Sequence, residues 1–155
     1  MYLASGIPAV CQMLARGIPV ALGTDGPGSQ NSQDMLESLN IAALLAKVST
    51  CDANAVLPLD LLRFATVDGA RLLCRDDIGH IAPGARADLT LVNLNNARSM
   101  PVHRPESALV YNASGADVHT VLVEGRILLD AGQVTVLDEA ALLEECRQAA
   151  RDLLR

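Results

Sequence analysis

The chain has 155 residues, enough for one ordinary domain that buries roughly two thirds of the surface its unfolded form exposes. Half of the residues are hydrophobic, yet Tyr2, Phe64 and Tyr111 are the only aromatic side chains. A core of Leu, Val, Ile and Ala is therefore expected, with almost no ring surface for stacking bases. Twelve basic against 18 acidic residues give a net charge of −6, and no local Lys/Arg cluster offsets it, which argues against binding nucleic acid or an anionic membrane.

The N-terminus lacks the charged region of a signal peptide, and no apolar run approaches the ~20 residues of a membrane span, so a cytoplasmic protein is expected. Cys11, Cys51, Cys74 and Cys146 are far apart, with no C-x-x-C spacing. They read as reduced, buried cysteines rather than as a zinc framework or a disulfide scaffold.

In chain order, Val10, Met13 and Leu14 stand at helical spacing and Gly17 supplies a stop, so a short helix is expected over residues 8 to 16. Residues 19 to 23 form an apolar run without alternation, which suits a strand buried on both faces in a parallel sheet. That run ends on Thr24-Asp25-Gly26. A carboxylate where a buried strand opens into a loop is a candidate site residue, and a turn or a helix cap is the alternative. A polar stretch, Gly28 to Gln33, leads to a helix from about Asp34 to Val48, with Ile41, Leu44, Leu45 and Val48 expected on its packed face. Capping explains Asp34, and Asn31, three residues earlier, is as good a cap as a ligand contact.

Two short helices are expected over residues 58 to 74, the first opened by Pro58 and the second capped by Asp68. The pattern then changes. Ile78-Gly79 and Pro83-Gly84 signal turns, and residues 87 to 92 alternate like a strand. Further strands are expected at about 107 to 111, 118 to 123, 126 to 129 and 133 to 136, with Glu124-Gly125 and Ala131-Gly132 as tight connections. Asp138 reads as the cap of a last helix with Leu142, Cys146, Ala149, Ala150 and Leu153 on one face. His80, His103 and His119 all fall in the β part and are expected to be structural or surface residues. The first 76 residues hold only one sheet-forming run, which cannot complete a parallel sheet by itself.

Three stretches carry a resemblance. Val20–Gly26 with Ser29-Gln30-Asn31 and Asp34-Met35, then Ala65–Arg71, then Ile78–Leu89, resemble in order and spacing the C-terminal part of metal-dependent amidohydrolases. The group is that of the methylthioadenosine/adenosylhomocysteine deaminases and the triazine chlorohydrolases and aminohydrolases. Val121–Arg126 and Asp130–Gln133 resemble the closing strands of that family.

The resemblance implies an α/β fold: a partial (β/α)8 barrel, contributing its last strand and helices, plus the C-terminal part of a small β-sandwich and a closing helix. A whole barrel needs ~250 residues. The implied division is residues 1–76 for the barrel fragment, 77–137 for the sandwich portion and 138–155 for the last helix. Met1–Ile7 resembles an internal segment after the family's seventh strand, so a truncated or partial reading frame is expected.

The resemblance also implies a site. Asp25 matches the aspartate that ligates one divalent metal, zinc or iron, and shuttles a proton as water attacks a ring carbon. Ser29 and Asn31 would contact substrate, while Gln30 departs from the Asn common in relatives. There is no His-x-His pair, so this chain alone is expected to hold no metal stably and to be inactive. The implied substrate is a small heterocycle: a purine, a pyrimidine or a triazine-like ring, cleaved at a carbon–nitrogen or carbon–halide bond. Expected partners are the missing N-terminal barrel portion, in one chain or as a split enzyme, or, if the chain is a non-catalytic binding or self-associating module, a partner protein or another copy.

Overall fold

A computed structural model of the chain describes residues 5–29 and 31–153. The resemblance at Met1–Ala4 and the departure at Gln30 lie outside the described residues, as do positions 154 and 155 of the range expected for the last helix.

Among the described residues there are six α-helices, one 3-10 turn and one sheet. Helix α1 spans Val10–Ala15, and α2 spans Met35–Thr50. Asp34 starts α2 from an extended backbone, its Oδ1 accepting from the N–H groups of Leu36 (2.9 Å) and Glu37 (3.3 Å). At the other end Cys51 takes a left-handed conformation (φ 54°) and stops the helix. Helix α3 (Pro58–Phe64) opens on a proline at its first turn, and α4 (Val67–Leu72) follows almost at once.

The buried side of α2 differs from the expected one. Leu39, Ala43 and Ala46 are buried, whereas Leu44 and Val48 are exposed and Ile41 and Leu45 line an open groove. The helix is apolar on several sides, so periodicity alone did not select a face; packing of α3 and a later helix did. Asp68 does not cap α4. Thr66 occupies the cap position, and Asp68 sits in the first turn, paired with Arg71 (3.2 Å) and Arg63 (3.6 Å).

Residues 107 to 111 are not a strand. They belong to helix α5, Pro105–Tyr111, with Pro105 in its first turn. Ala108 and Val110 are buried as α5 packs on α2 and α3, and the Asn40 amide donates to the Val110 carbonyl at 3.1 Å. A short apolar run fits either period, and burial against two helices decided for the helix. The resulting core contains Leu39, Ala43, Ala46, Val56, Leu61, Phe64 and Val110.

The remaining elements are β1 (Leu89–Val92), a 3-10 turn at Gly115–Asp117, β2 (Val118–Val123), β3 (Arg126–Asp130), β4 (Gln133–Val134) and α6 (Glu139–Leu153). The strands form one antiparallel sheet in the order β1-β2-β3-β4. Leu89 lies opposite Leu122, Val123 opposite Arg126 and Asp130 opposite Gln133. Both hairpin connections use two residues of positive φ, Glu124-Gly125 (51° and 77°) and Ala131-Gly132 (47° and 76°), which suits the twist of tight hairpins.

No strand forms over residues 19 to 23, because none of the described residues offers it a parallel neighbour. The segment is fastened to the helical core at one point, Leu22 N–H to Phe64 O at 3.1 Å, with Val20 and Leu22 packed on the core.

Where the helical part meets the sheet, Asp77 accepts from Arg75 (2.6 and 2.7 Å) and Arg86 (2.7 Å), and Arg86 also pairs with Glu124. Asp138 caps α6 through Ala141 N–H at 3.0 Å, but the described residues of α6 are all exposed, its apolar stripe included. The cysteines are unbridged. Cys11 is half-buried and donates to Ala55 O at 3.4 Å, while Cys51, Cys74 and Cys146 are exposed, contrary to expectation. Cys51 and Cys74 occupy left-handed positions just past helix ends (φ 54° each), where side chains face solvent.

Candidate functional site

Asp25 ends the segment that runs from Val20 across the core. It adopts φ 61°, uncommon for a residue other than glycine, and its Oδ1 accepts from the next N–H, that of Gly26, at 2.7 Å. The Thr24 hydroxyl donates to the Asp25 carbonyl at 3.2 Å. These local bonds orient a carboxylate that is itself exposed. The chain then turns, with Ser29 N–H bonded to Gly26 O at 3.0 Å. Ser29 is half-buried and Asn31 exposed, and the helix cap falls to Asp34 rather than to Asn31.

The segment leading to Asp25 is flanked by two open hollows. One, about 340 Å3, is lined by residues 20 to 23 with Ile41, Leu45 and Phe64. The other, about 670 Å3, lies between residues 21 to 23, α4 and the sheet, against Leu73, Leu89, Val121 and Val123. Both are lined mainly by apolar side chains. They expose hydrocarbon to water on either side of the Asp25 segment, a surface of the kind that marks an interface.

The histidines lie elsewhere. His80, His103 and His119 are all exposed, with His80 Nδ1 3.2 Å from Ile78 O and His119 Nδ1 2.8 Å from the Thr120 hydroxyl. Among the described residues no three His, Cys, Asp or Glu side chains converge as a metal site would require. Asp25 gives one carboxylate, whereas a catalytic zinc takes three protein ligands and an open position. The donor set of this chain by itself therefore does not fit a catalytic metal centre.

One connection near the site had no sequence signal. The second carboxylate oxygen of Asp34 accepts from Gly115 N–H at 2.6 Å, across 81 positions of sequence. Only a contact between the start of α2 and the turn before β2 reveals it. Likewise, no helix of the described residues is long and apolar enough to cross a membrane.

A profile of the amidohydrolase family matches residues 1–128. The 5'-deoxyadenosine deaminase of Methanothermobacter thermautotrophicus is 44% identical over 153 residues, 99% of this chain and 36% of that protein. The 5-methylthioadenosine/S-adenosylhomocysteine deaminase of Pelotomaculum thermopropionicum is 43% identical, again over 99% of this chain and 36% of the relative. Among solved structures, an adenosine deaminase from Xanthomonas campestris with bound zinc is 38% identical with a TM-score of 0.90, covering 94% of this chain and 34% of that one. Atrazine chlorohydrolase from Arthrobacter aurescens complexed with zinc is 27% identical with a TM-score of 0.79, covering 88% of this chain and 30% of its own. The chain thus spans about a third of the length of the curated relatives it matches. With a family profile matching most of its length and a fold shared with two zinc-bound structures, this chain belongs to the amidohydrolase family.

Proposed function

We propose that this chain is the C-terminal part of an amidohydrolase that hydrolyses a carbon–nitrogen bond other than a peptide, or a carbon–halide bond, on a purine, pyrimidine or triazine-like ring. Residues 1–76 would complete a (β/α)8 barrel with its last strand and helices, residues 77–137 would supply part of a β-sandwich, and residues 138–155 would form the closing helix. The observation that carries this reading is the Asp25 segment: a left-handed, locally bonded carboxylate at the end of an apolar run bordered by open hollows. Such a run suits a strand whose neighbours come from the remaining two thirds of a relative's length. The names of the similar proteins, deaminases of adenine nucleosides and a triazine chlorohydrolase, supply the substrate class.

In that enzyme Asp25 would be this chain's contribution to a divalent-metal centre whose other ligands come from outside it; zinc is the metal in the similar structures. The Asp25 carboxylate would take a proton from the attacking water and return it to the leaving amine, a transfer typically worth about 10²- to 10⁴-fold in rate. Ser29 and Asn31, on the same loop, would contact the ring or brace the loop. Alone, the chain would have no turnover.

The test joins this chain to the N-terminal two thirds of the Methanothermobacter relative and measures ammonia release from 5'-deoxyadenosine. Activity is expected, with a loss of at least about a hundredfold in Asp25→Asn. Full activity in Asp25→Asn, or turnover by the 155-residue chain alone, would overturn the reading. A second reading, self-association of a non-catalytic module, draws on the exposed Leu44, Val48, Leu72, Leu73 and Ile127. It requires a discrete, folded oligomer in gel filtration across a concentration series, where the first reading requires ill-defined association.

A further inference from the structure

Asp34 stands where the loop carrying Asp25 returns to the fold, and its two carboxylate oxygens have different partners. Oδ1 accepts from Leu36 and Glu37 N–H, which is all that a helix cap needs. Oδ2 accepts from Gly115 N–H at 2.6 Å. The fit there is close: a Cβ on Gly115 would lie 3.0 Å from Oδ2 and 3.2 Å from Cγ of Asp34.

Both partners of this contact are held from behind. Asp34 N–H donates to the Ser32 hydroxyl at 3.2 Å, and the Ser38 hydroxyl donates to Asp34 O at 3.0 Å. Gly115 opens the turn closed by Asp117, whose carboxylate accepts from Ser114 N–H (2.8 Å), Asn96 Nδ2 (3.1 Å) and Arg98 Nη2 (2.6 and 2.7 Å). The Asp117 carbonyl accepts from Asn93 N–H at 2.8 Å, just past β1. The Asp25 loop is therefore pinned at Leu22 to the helical core and at Asp34 to the turn that feeds the sheet.

We infer that Asp34 is a positioning residue whose bond to Gly115 latches the Asp25 loop to the sheet and holds the Asp25 carboxylate in place for reaction. The inference rests on the role proposed for Asp25. Displacing a reacting group by an ångström can cost about a hundredfold in rate, so fixing both ends of a short loop has kinetic weight.

Two variants break the latch and keep the cap. Asp34→Asn retains an oxygen for Leu36 and Glu37 but turns an amide N–H2 toward the Gly115 N–H, and Gly115→Pro removes that donor N–H at the first position of its turn, where proline is tolerated. In the 155-residue chain, amide exchange at Gly26 and Ser29 is expected to quicken at least tenfold in both variants, while Ala43 and Ala46, in the middle of α2, keep their protection. In the joined enzyme kcat is expected to fall at least tenfold with KM changed less than twofold, and the double variant to be no worse than either single one. Unchanged exchange at Gly26 and Ser29, or losses that simply multiply in the double variant, would overturn the latch. If the unsubstituted joined enzyme is inactive, the proposed function fails, while the exchange measurement still decides whether the latch exists.

Discussion

Replacing Gly79 with alanine tests how the helical part is joined to the sheet. Gly79 adopts φ 83°, and a Cβ there would meet Thr66 O at 2.9 Å, Thr66 C at 3.0 Å and Ala70 Cβ at 3.0 Å. Two of those three atoms are backbone and the third is the root of a helical side chain, so none can swing aside. The left-handed backbone costs a non-glycine residue about 1–2 kcal/mol. Crowding a packed site adds about 1–3 kcal/mol. Stiffening the unfolded chain returns about 0.4–1 kcal/mol. The net loss is about 1–4.6 kcal/mol, which at a urea m-value of about 2 kcal/mol per molar lowers the unfolding midpoint by about 0.5–2.3 M. Gly84→Ala is the matched control, since Gly84 adopts φ 90° with nothing within 4 Å of its Cβ position. It carries the backbone cost alone, and its net loss is about 0–1.6 kcal/mol. Urea unfolding followed by far-UV circular dichroism reads both variants. Equal midpoints for the two would refute the claim that the turn at Gly79 is wedged against the α3–α4 junction.

Other outcomes follow from the same contacts. Leu39→Ala, at a side chain only 2% exposed, is expected to cost about 2–5 kcal/mol in the same urea assay, because α3 and α5 cannot fully close the space. The Asp117 carboxyl is held below its ordinary range, first by the Ser114 N–H and then by Arg98. A depressed carboxyl stabilises the fold above its unfolded pKa of about 3.9, and that contribution disappears as pH falls through the folded value. Unfolding midpoints measured from pH 6 down to pH 2 are thus expected to fall on the acid side, and to fall less steeply in Asp117→Asn. Asp77 is lowered in the same direction by Arg75 and then Arg86, but it is only half-buried, so added salt should weaken its share. Titration calorimetry with zinc should show no stoichiometric binding to the 155-residue chain, and the same flat trace in Asp25→Ala; a one-to-one isotherm abolished by that substitution would show that one carboxylate has found partners.

The sequence by itself determined the features that depend on neighbours in the chain. Asp34 and Asp138 cap helices because a short carboxylate can reach N–H groups two and three positions ahead. Glu124-Gly125 and Ala131-Gly132 turn the hairpins because two consecutive positive φ values match strand twist. The motif from Val20 to Gly26 and the ordered stretches after it were enough to mark the family, and with it Asp25 as the residue to test.

Only the tertiary structure decided what depends on distant neighbours. Residues 107 to 111 became a helix because α2 and α3 bury Ala108 and Val110, and α2 turned Leu39, Ala43 and Ala46 inward because that is the side those helices cover. Residues 19 to 23, apolar enough for a central strand, stay unpaired because sheet hydrogen bonds need another strand and none of the described residues supplies one. The Asp34–Gly115 bond belongs to the same class, since an interaction spanning 81 positions leaves no periodicity to read. Caps and turns satisfy backbone groups locally and so are written in short words of sequence, whereas faces, strand partners and latches are settled by whatever the fold brings alongside.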